Sequence, residues 1–252
     1  MLLAVYVAYS VLLSLALGRA GQPSRLQPPP AVRREPIRRI VIVGASGRTG
    51  RQLVEQALER GYRVTAMVRG FSDSDRRHAR LEYAVGDVLD ARFVRTTLDG
   101  QDAVLCALGH GRFLGPSRIL SDGTGHILDA MHRARVPRLV CETSLGIGDS
   151  MFRMGLYYTF LVIPLILPFY YWDKTRQERL IAESSVDWVI VRPAVLTNGP
   201  RTGGFRHGRR IGDFILTRRV SRADVASFML DQLESDEFLG TAPACMQASR
   251  MA

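Results

Sequence analysis

The sequence predicts a single α/β domain built on a doubly wound, mainly parallel sheet. Short apolar runs of strand length alternate with helical patterns, and no internal repeat is evident. Such alternation is typical of parallel strands that are connected by helices and covered on both faces. The chain has 252 residues, of which 46% are hydrophobic and 23% charged, which fits a globular protein with one sizeable core.

The first three elements are predicted to form a βαβ unit, with a strand at 40–43, a helix at 48–60 and a strand at 63–68. Further strands are predicted at 81–85, 103–108, 138–143 and 188–191. Helices are predicted at 117–134 and 174–184, and a last helix at 225–233 follows a capping segment at 221–224.

The residues before this domain fall into two parts, and the domain itself is predicted to span residues 37–248. Residues 1–18 are almost wholly apolar, and residues 19–36 are a linker rich in proline and arginine, unable to sustain a helix. The apolar segment is interpreted as a signal-peptide core, a membrane anchor, or a start site placed too far upstream. Because its arginines follow it, we expect a cytoplasmic domain, tethered to a membrane or free.

The net charge of +10 raises the question of a nucleic-acid partner. The excess is local, however: arginines cluster before the first strand, after the second, and in a glycine-rich loop. No recognition helix or aromatic-basic pattern accompanies them, so no nucleic-acid partner is predicted. Cys106, Cys141 and Cys245 lie far apart without the spacing that zinc requires, so neither a metal nor a disulfide is expected.

A glycine-rich turn, Gly-Ala-Ser-Gly-Arg-Thr-Gly at 44–50, follows the first strand and opens the first helix. Glycines there permit a tight turn and close approach of the backbone, and the helix N-terminus attracts a negative pyrophosphate. In this position the turn predicts a Rossmann-type dinucleotide site. Its contacts are expected from Gly44, Ser46, Gly47, Arg48, Thr49 and Gly50.

The residue that ends the second strand indicates which dinucleotide is bound. Enzymes that choose NAD place an acidic residue there, on the ribose 2′-hydroxyl, whereas this chain has Arg69. A guanidinium pairs with a 2′-phosphate, and Arg48 can approach the same group, so NADP is the predicted cofactor. The alternative is that Arg69 is only a solvated strand end.

Other strand ends supply further predicted cofactor contacts, because ligands of open α/β sheets lie at the carboxyl edge. Adenine and ribose contacts are predicted at Asp87, Val88, Ala107, Leu108 and Gly109. Asp87 has an alternative role as the N-cap of a helix that begins near Ala91.

With these motifs in place, the stretch 37–242 resembles the atypical short-chain dehydrogenase/reductases, a group that includes flavin reductase (biliverdin reductase B) and the NmrA-like proteins. The resemblance rests on the glycine turn and on the following residues: Arg69, Gly86-Asp87, Thr143-Ser144, Asp173-Lys174 through Glu178, Val191-Arg192-Pro193 and Ser221-Arg222-Ala223-Asp224. It implies cofactor contacts at Thr143 and Lys174.

The resemblance also implies a Ser, Tyr and Lys set at Ser144, Tyr170 and Lys174. A hydride that arrives at a carbonyl carbon leaves an alkoxide, and a phenol beside an ammonium is suited to protonate it. Tyr170 stands four residues before Lys174, so the two would share one face of a continuous helix. The alternatives are a chance tyrosine, a helix start delayed by Pro168, and a surface bridge from Lys174 to Glu178.

The stretch 155–172 is strongly apolar but is interrupted by Pro164 and Pro168. We interpret it as a hydrophobic lid or substrate wall, with contact to a membrane surface or a partner subunit as the alternative. The predicted function is an NADP-dependent oxidoreductase that acts on a hydrophobic small molecule. The alternative is a non-catalytic NADP(H)-binding sensor, regulatory or assembly protein of the NmrA-like type.

Overall fold

The computed structural model describes residues 36–71, 77–109 and 115–248, together with Tyr9 and Leu12. Apart from those two residues and Pro36, the apolar segment at 1–18 and the linker at 19–36 lie outside the described residues. Within the described part of the chain, no helix has both the length and the apolar character needed to cross a membrane.

Parallel strands and helices alternate along the chain, as the sequence predicts. The strands are β1 (Arg39–Val43), β2 (Arg63–Val68), β3 (Leu81–Val85), β4 (Ala103–Cys106), β5 (Arg138–Glu142), β6 (Asp187–Pro193), β7 (Val195–Thr197), β8 (Phe205–Gly208), β9 (Arg219–Ser221) and β10 (Ala244–Gln247). The helices are α1 (Arg48–Glu59), α2 (Ala91–Leu98), α3 (Ile119–Ala134), α4 (Pro168–Glu183) and α5 (Arg222–Asp231).

One sheet organises the domain, with the strand order β3-β2-β1-β4-β5-β6-β10-β8. All its pairs are parallel except that of β10 with β8. Successive residues of β1 enter two different cores: Ile40 and Ile42 pack on the side of α1 and α5, and Val41 and Val43 on the side of α2, α3 and α4. The sheet is therefore buried on both faces, and the doubly wound Rossmann-type prediction is confirmed.

Two helix starts differ from the predicted ones by three residues or more. Helix α4 begins at Pro168, not at Lys174. Proline at the first turn of a helix gives up no internal hydrogen bond, so Pro168 starts the helix and does not delay it. The last helix begins at Arg222, directly after Ser221, whose hydroxyl accepts a hydrogen bond from the Asp224 amide.

Helix α2 is capped by a different aspartate from the one proposed in the sequence. The Asp90 carboxylate accepts hydrogen bonds from the amides of Arg92 and Phe93, at 2.9 and 3.2 Å. The Asp87 carboxylate instead accepts a hydrogen bond from the Leu89 amide, in the turn that precedes the helix. The helix begins at Ala91, as expected, but the N-cap role for Asp87 is wrong, because the cap is the residue directly before the helix, Asp90.

Buried charges fix α4 against its neighbours. The fully buried Asp173 accepts hydrogen bonds from the amides of Leu120 and Ser121, at 3.0 and 3.1 Å, at the start of α3. One turn later, Glu178 forms a bidentate ion pair with Arg192 of β6. A carboxylate at a helix N-terminus is favourable, and the pairing of Glu178 with Arg192 avoids the cost of leaving either buried charge without a partner.

Candidate functional site

A cavity of about 750 Å³ lies at the carboxyl ends of the central strands. Its walls include most of the predicted site residues: Gly44, Ser46, Gly47, Arg48, Thr49, Arg69, Asp87, Val88, Ala107, Leu108, Gly109, Thr143, Ser144, Tyr170 and Lys174. Gly50 is absent from these walls. The strand ends that the sequence singled out therefore converge on one site of a size suited to a small-molecule cofactor.

The glycine turn packs too tightly for side chains at two of its positions. Gly44 has a φ of +78°, and a Cβ there would lie 2.7 Å from the Ala107 carbonyl oxygen. A Cβ on Gly50 would lie only 2.1 Å from the Gly44 carbonyl oxygen. Gly50 thus serves the close packing of α1 on the turn, behind the cavity wall.

Helix α1 presents an open N-terminus to the cavity. Its N-cap is Gly47, which offers no side-chain cap, and its first turn carries no acidic residue. The amide groups of this turn, together with the positive end of the helix dipole, remain available to an anion. This arrangement fits the pyrophosphate of a dinucleotide.

Three arginines add positive charge to the same cavity. Arg48 opens α1, Arg69 follows β2 and Arg222 opens α5. Partial burial and repulsion by the positive charge of Arg48 lower the pKa of Arg222. Within the described part of the chain, no carboxylate forms an ion pair with Arg48 or Arg69.

Lys174 crosses the floor of the site and is only 1% exposed. Its Nζ donates hydrogen bonds to the carbonyl oxygens of Leu108 and Glu142, at 3.1 and 2.9 Å. Burial alone would lower the pKa of Lys174, but Tyr170, Cys141 and Glu142 outweigh it and raise the pKa above its usual value. Because Lys174 is buried with carbonyl oxygens as its partners and Glu178 pairs with Arg192, the alternative of a surface bridge to Glu178 is wrong.

Tyr170 lies beside Lys174, as the spacing of four residues in a helix requires. Its ring centroid is 5.8 Å from the Lys174 Nζ, and its side chain lines the cavity. The structure thus brings Tyr170 and Lys174 together on one face of α4.

Ser144 contacts a different tyrosine. Its hydroxyl lies 2.9 Å from the Tyr171 hydroxyl, which also donates to the Leu145 carbonyl oxygen at 3.0 Å. Burial raises the pKa of Tyr171, which keeps this phenol neutral. The sequence pattern gave no reason to select Tyr171, because its partner is set by the loop after β5.

Besides Tyr171, two polar residues of the site were missed by sequence reasoning. Glu142 ends β5, is 7% exposed, and accepts a hydrogen bond from the Thr49 hydroxyl at 3.2 Å. Burial raises the pKa of Glu142. The second is Arg222, which stands inside the quoted Ser-Arg-Ala-Asp motif. The sequence feature that could have identified Glu142 is the presence of a charged residue at the end of an apolar strand.

The lid segment forms the apolar side of the cavity. Tyr158 and Leu167 of this segment line the cavity, together with Met154 just before it and Val195 and Leu196 of β7. Residues 158–162 form a π-helical turn that continues into a short helix at Ile163–Leu165. Among the residues described, no group of three or more His, Cys, Asp or Glu side chains could hold a metal ion.

The fold and the open N-terminus of α1 define a dinucleotide-binding Rossmann protein. The NAD(P)H-binding family model matches residues 44–236, which is most of the chain. The chain therefore belongs to the NAD(P)H-binding family.

Relatives and solved structures agree with this assignment. An uncharacterised chloroplastic protein of Arabidopsis thaliana is 28% identical over 208 residues, which cover 79% of this chain and 73% of the relative. A short-chain dehydrogenase/reductase from Veillonella parvula, in complex with NADP, superposes with a TM-score of 0.71 at 15% identity, over 86% of this chain and 97% of that one.

An anaerobillin reductase from Escherichia coli O157:H7 superposes with a TM-score of 0.66 at 20% identity, over 85% of this chain and 99% of that one. At this identity the two solved structures show the shared fold. Some curated relatives are much longer: the chain spans 15% of an uncharacterised protein of Mycobacterium tuberculosis, which is 30% identical over 159 residues.

Replacing Gly50 by alanine tests the packing of the glycine turn. We expect Gly50→Ala to lower the free energy of unfolding by about 1–3 kcal/mol, because its Cβ would overlap a backbone carbonyl. The affinity of Gly50→Ala for NADPH should also fall, because the glycine turn shifts. Urea unfolding and a fluorescence titration with NADPH measure the two effects.

Gly125→Ala is the matched control, since Gly125 is also a helical glycine but a Cβ there meets nothing within 4 Å. It should raise stability by up to about 1 kcal/mol and leave NADPH affinity unchanged. Equal behaviour of the two variants would contradict the tight packing at Gly50.

Proposed function

We propose that the protein is an NADP-dependent oxidoreductase that transfers a hydride to or from a hydrophobic small molecule. The observation that carries the proposal is the convergence, in one cavity, of an uncapped helix N-terminus, the guanidinium groups of Arg48 and Arg69, which no carboxylate among the described residues pairs, and the Tyr170–Lys174 pair. The rest of the proposal follows from what each of these groups can do.

The anionic groups of the cofactor match the positive features of the site. The amides that follow Gly47 would hold the pyrophosphate at the start of α1. Arg69, with Arg48 beside the glycine turn, would hold the 2′-phosphate. Lys174 has three N–H donors and gives two of them to carbonyl oxygens, which leaves one for the nicotinamide ribose.

The bound cofactor would supply the hydride, and the chain would supply the proton. When a carbonyl carbon accepts a hydride, the Tyr170 phenol donates its proton to the oxygen, and the Lys174 ammonium stabilises the phenolate that remains. Ser144, oriented by Tyr171, would hydrogen-bond the same oxygen. The apolar cavity residues Met154 and Leu167 favour a hydrophobic substrate.

One observation favours a second candidate, a non-catalytic NADP(H)-binding sensor. The Ser144 hydroxyl hydrogen-bonds to Tyr171, which is not the tyrosine of the predicted catalytic set, and to the Leu145 carbonyl oxygen. A site that only binds the cofactor would need Lys174 and the arginines but no proton donor.

Cofactor choice is tested with Arg69→Ala. We expect its affinity for NADP to fall by about 10- to 100-fold, the value of charge-assisted hydrogen bonds, with little change for NAD. Isothermal titration with each cofactor measures this. Arg63→Ala removes the same charge from the other end of β2 and should change neither affinity. An equal loss for NADP and NAD in Arg69→Ala would contradict the assignment of Arg69 to the 2′-phosphate.

The catalytic proposal is tested with Tyr170→Phe. NADPH oxidation is followed with menadione, FMN and benzaldehyde, and the fastest acceptor is kept. The loss of a general acid should reduce turnover by about 10²- to 10⁴-fold with unchanged NADPH affinity. Tyr157→Phe, which alters a tyrosine that is 60% exposed, should turn over at the wild-type rate.

Two outcomes would oppose the catalytic proposal. Wild-type rates in Tyr170→Phe would remove Tyr170 from proton transfer. Tight NADPH binding without oxidation by any of the three acceptors in the wild-type protein would favour the sensor.

A further inference from the structure

A concentrated apolar surface covers the outer side of the lid segment. Ten of the sixteen large apolar side chains that the described residues expose belong to two stretches, 156–172 and 214–216. In the first stretch they recur at a helical spacing, at Tyr157, Leu161, Leu165, Phe169 and Trp172. We call these two stretches the apolar face.

The two stretches lie side by side. The Gly155 amide donates to the Asp213 carbonyl oxygen at 2.8 Å, and the Leu156 amide to the Ile215 carbonyl oxygen at 3.3 Å. Phe214, Ile215 and Leu216 thereby extend the surface that begins at Leu156. Exposed apolar clusters of this extent are uncommon on a protein that meets only water, and they mark contact surfaces.

The charged residues of the segments that carry the apolar face are mostly basic. Residues 151–172 and 206–219 contain six arginines and a single acidic residue, Asp213, which is paired with Arg218 at 2.8 Å. Arg153 donates a hydrogen bond to the Arg209 carbonyl oxygen, so the loop that carries Arg209 and Arg210 lies at the edge of the face. Arg176 lies over the Trp172 ring, 5.1 Å from its centroid.

We propose that the apolar face docks on the surface of a membrane that contains anionic lipids. Aromatic and aliphatic side chains enter the boundary between headgroups and acyl chains, and the arginine rim binds lipid phosphates. A second copy of the chain fits less well, because a twofold contact would bring the arginine rims against each other. The proposal concerns binding, and it is independent of any turnover.

Docking of the apolar face would bring the cavity close to the membrane. The lid segment that carries the apolar face on its outside lines the cavity on its inside, through Tyr158 and Leu167. On a membrane, the apolar wall of the cavity would lie directly behind the lipid interface. A lipid-dissolved compound would then reach the cavity without crossing bulk water.

The chain carries a natural reporter for the test. It contains two tryptophans, of which Trp188 is fully buried beside the sheet and Trp172 is 42% exposed on the apolar face. Residues 1–18 contain none. The fluorescence of Trp172 thus reports on the apolar face and not on the N-terminal segment.

The experiment mixes the full chain with vesicles of phosphatidylcholine alone or with phosphatidylcholine and phosphatidylglycerol at 3:1. With the anionic vesicles, we expect Trp172 emission to shift to shorter wavelength and to be quenched by brominated acyl chains. Trp172→Phe should lose both signals. Ile215→Ser should weaken vesicle binding by about tenfold, because an apolar side chain is no longer buried.

Charge variants test the arginine rim. Arg209→Gln/Arg210→Gln should weaken binding to anionic vesicles by about fivefold for each arginine removed. Arg63→Gln/Arg95→Gln removes two exposed arginines elsewhere and should bind with much less loss.

Three results would overturn the proposal. The first is a Trp172 emission spectrum that neither kind of vesicle changes. If the protein nevertheless floats with the vesicles, binding belongs to the N-terminal segment and not to the apolar face. The second is an equal response to neutral and anionic vesicles. The third is an emission shift that grows with protein concentration in the absence of lipid, which would assign the face to a second copy of the chain.

Discussion

The buried ammonium of Lys174 is the interaction on which the site depends. It joins the carboxyl ends of β4 and β5 through the carbonyl oxygens of Leu108 and Glu142, and it faces the cavity from the side of α4. The carboxylate of its neighbour Asp173 accepts hydrogen bonds from the first amides of α3. Two adjacent residues thus tie one helix to the sheet edge and to a second helix, and the position of Tyr170 follows from them.

Beneath this contact lies a chain of buried charges that fixes the wall of the site. The Glu178 carboxylate accepts hydrogen bonds from the Arg192 guanidinium and, at 2.6 Å, from the Thr143 hydroxyl. Arg192 also donates to Asp149, in the loop after β5. A buried ion pair of this kind adds little net stability but penalises any arrangement that leaves one charge unpaired. It therefore holds β5, β6 and α4 in one relative position, which a site at their junction requires.

The sequence predicted the parts of the molecule that depend on local pattern. The apolar strands, the glycine turn before α1 and the spacing of Tyr170 and Lys174 follow from residue types and short separations, and the structure brings them to one cavity. The antiparallel pair β8–β10 was missed, since Phe205–Gly208 contains glycine and exposed polar residues and lacks an apolar run.

What could not be predicted depends on contacts between distant segments. The partner of Ser144 is Tyr171 because the loop after β5 brings the two hydroxyl groups together, and no spacing rule encodes that loop. Glu142 became a residue of the site through its hydrogen bond with Thr49, 93 positions away. The outer face of the lid could not be distinguished from its inner face, because both are apolar.

The most direct test of the account is a crystal structure with bound NADPH. It should show the pyrophosphate at the amides that follow Gly47, the 2′-phosphate at Arg69, and the nicotinamide C4 facing Tyr170, with the ribose on Lys174. A pyrophosphate bound away from the start of α1, or a nicotinamide that contacts neither Tyr170 nor Lys174, would contradict it.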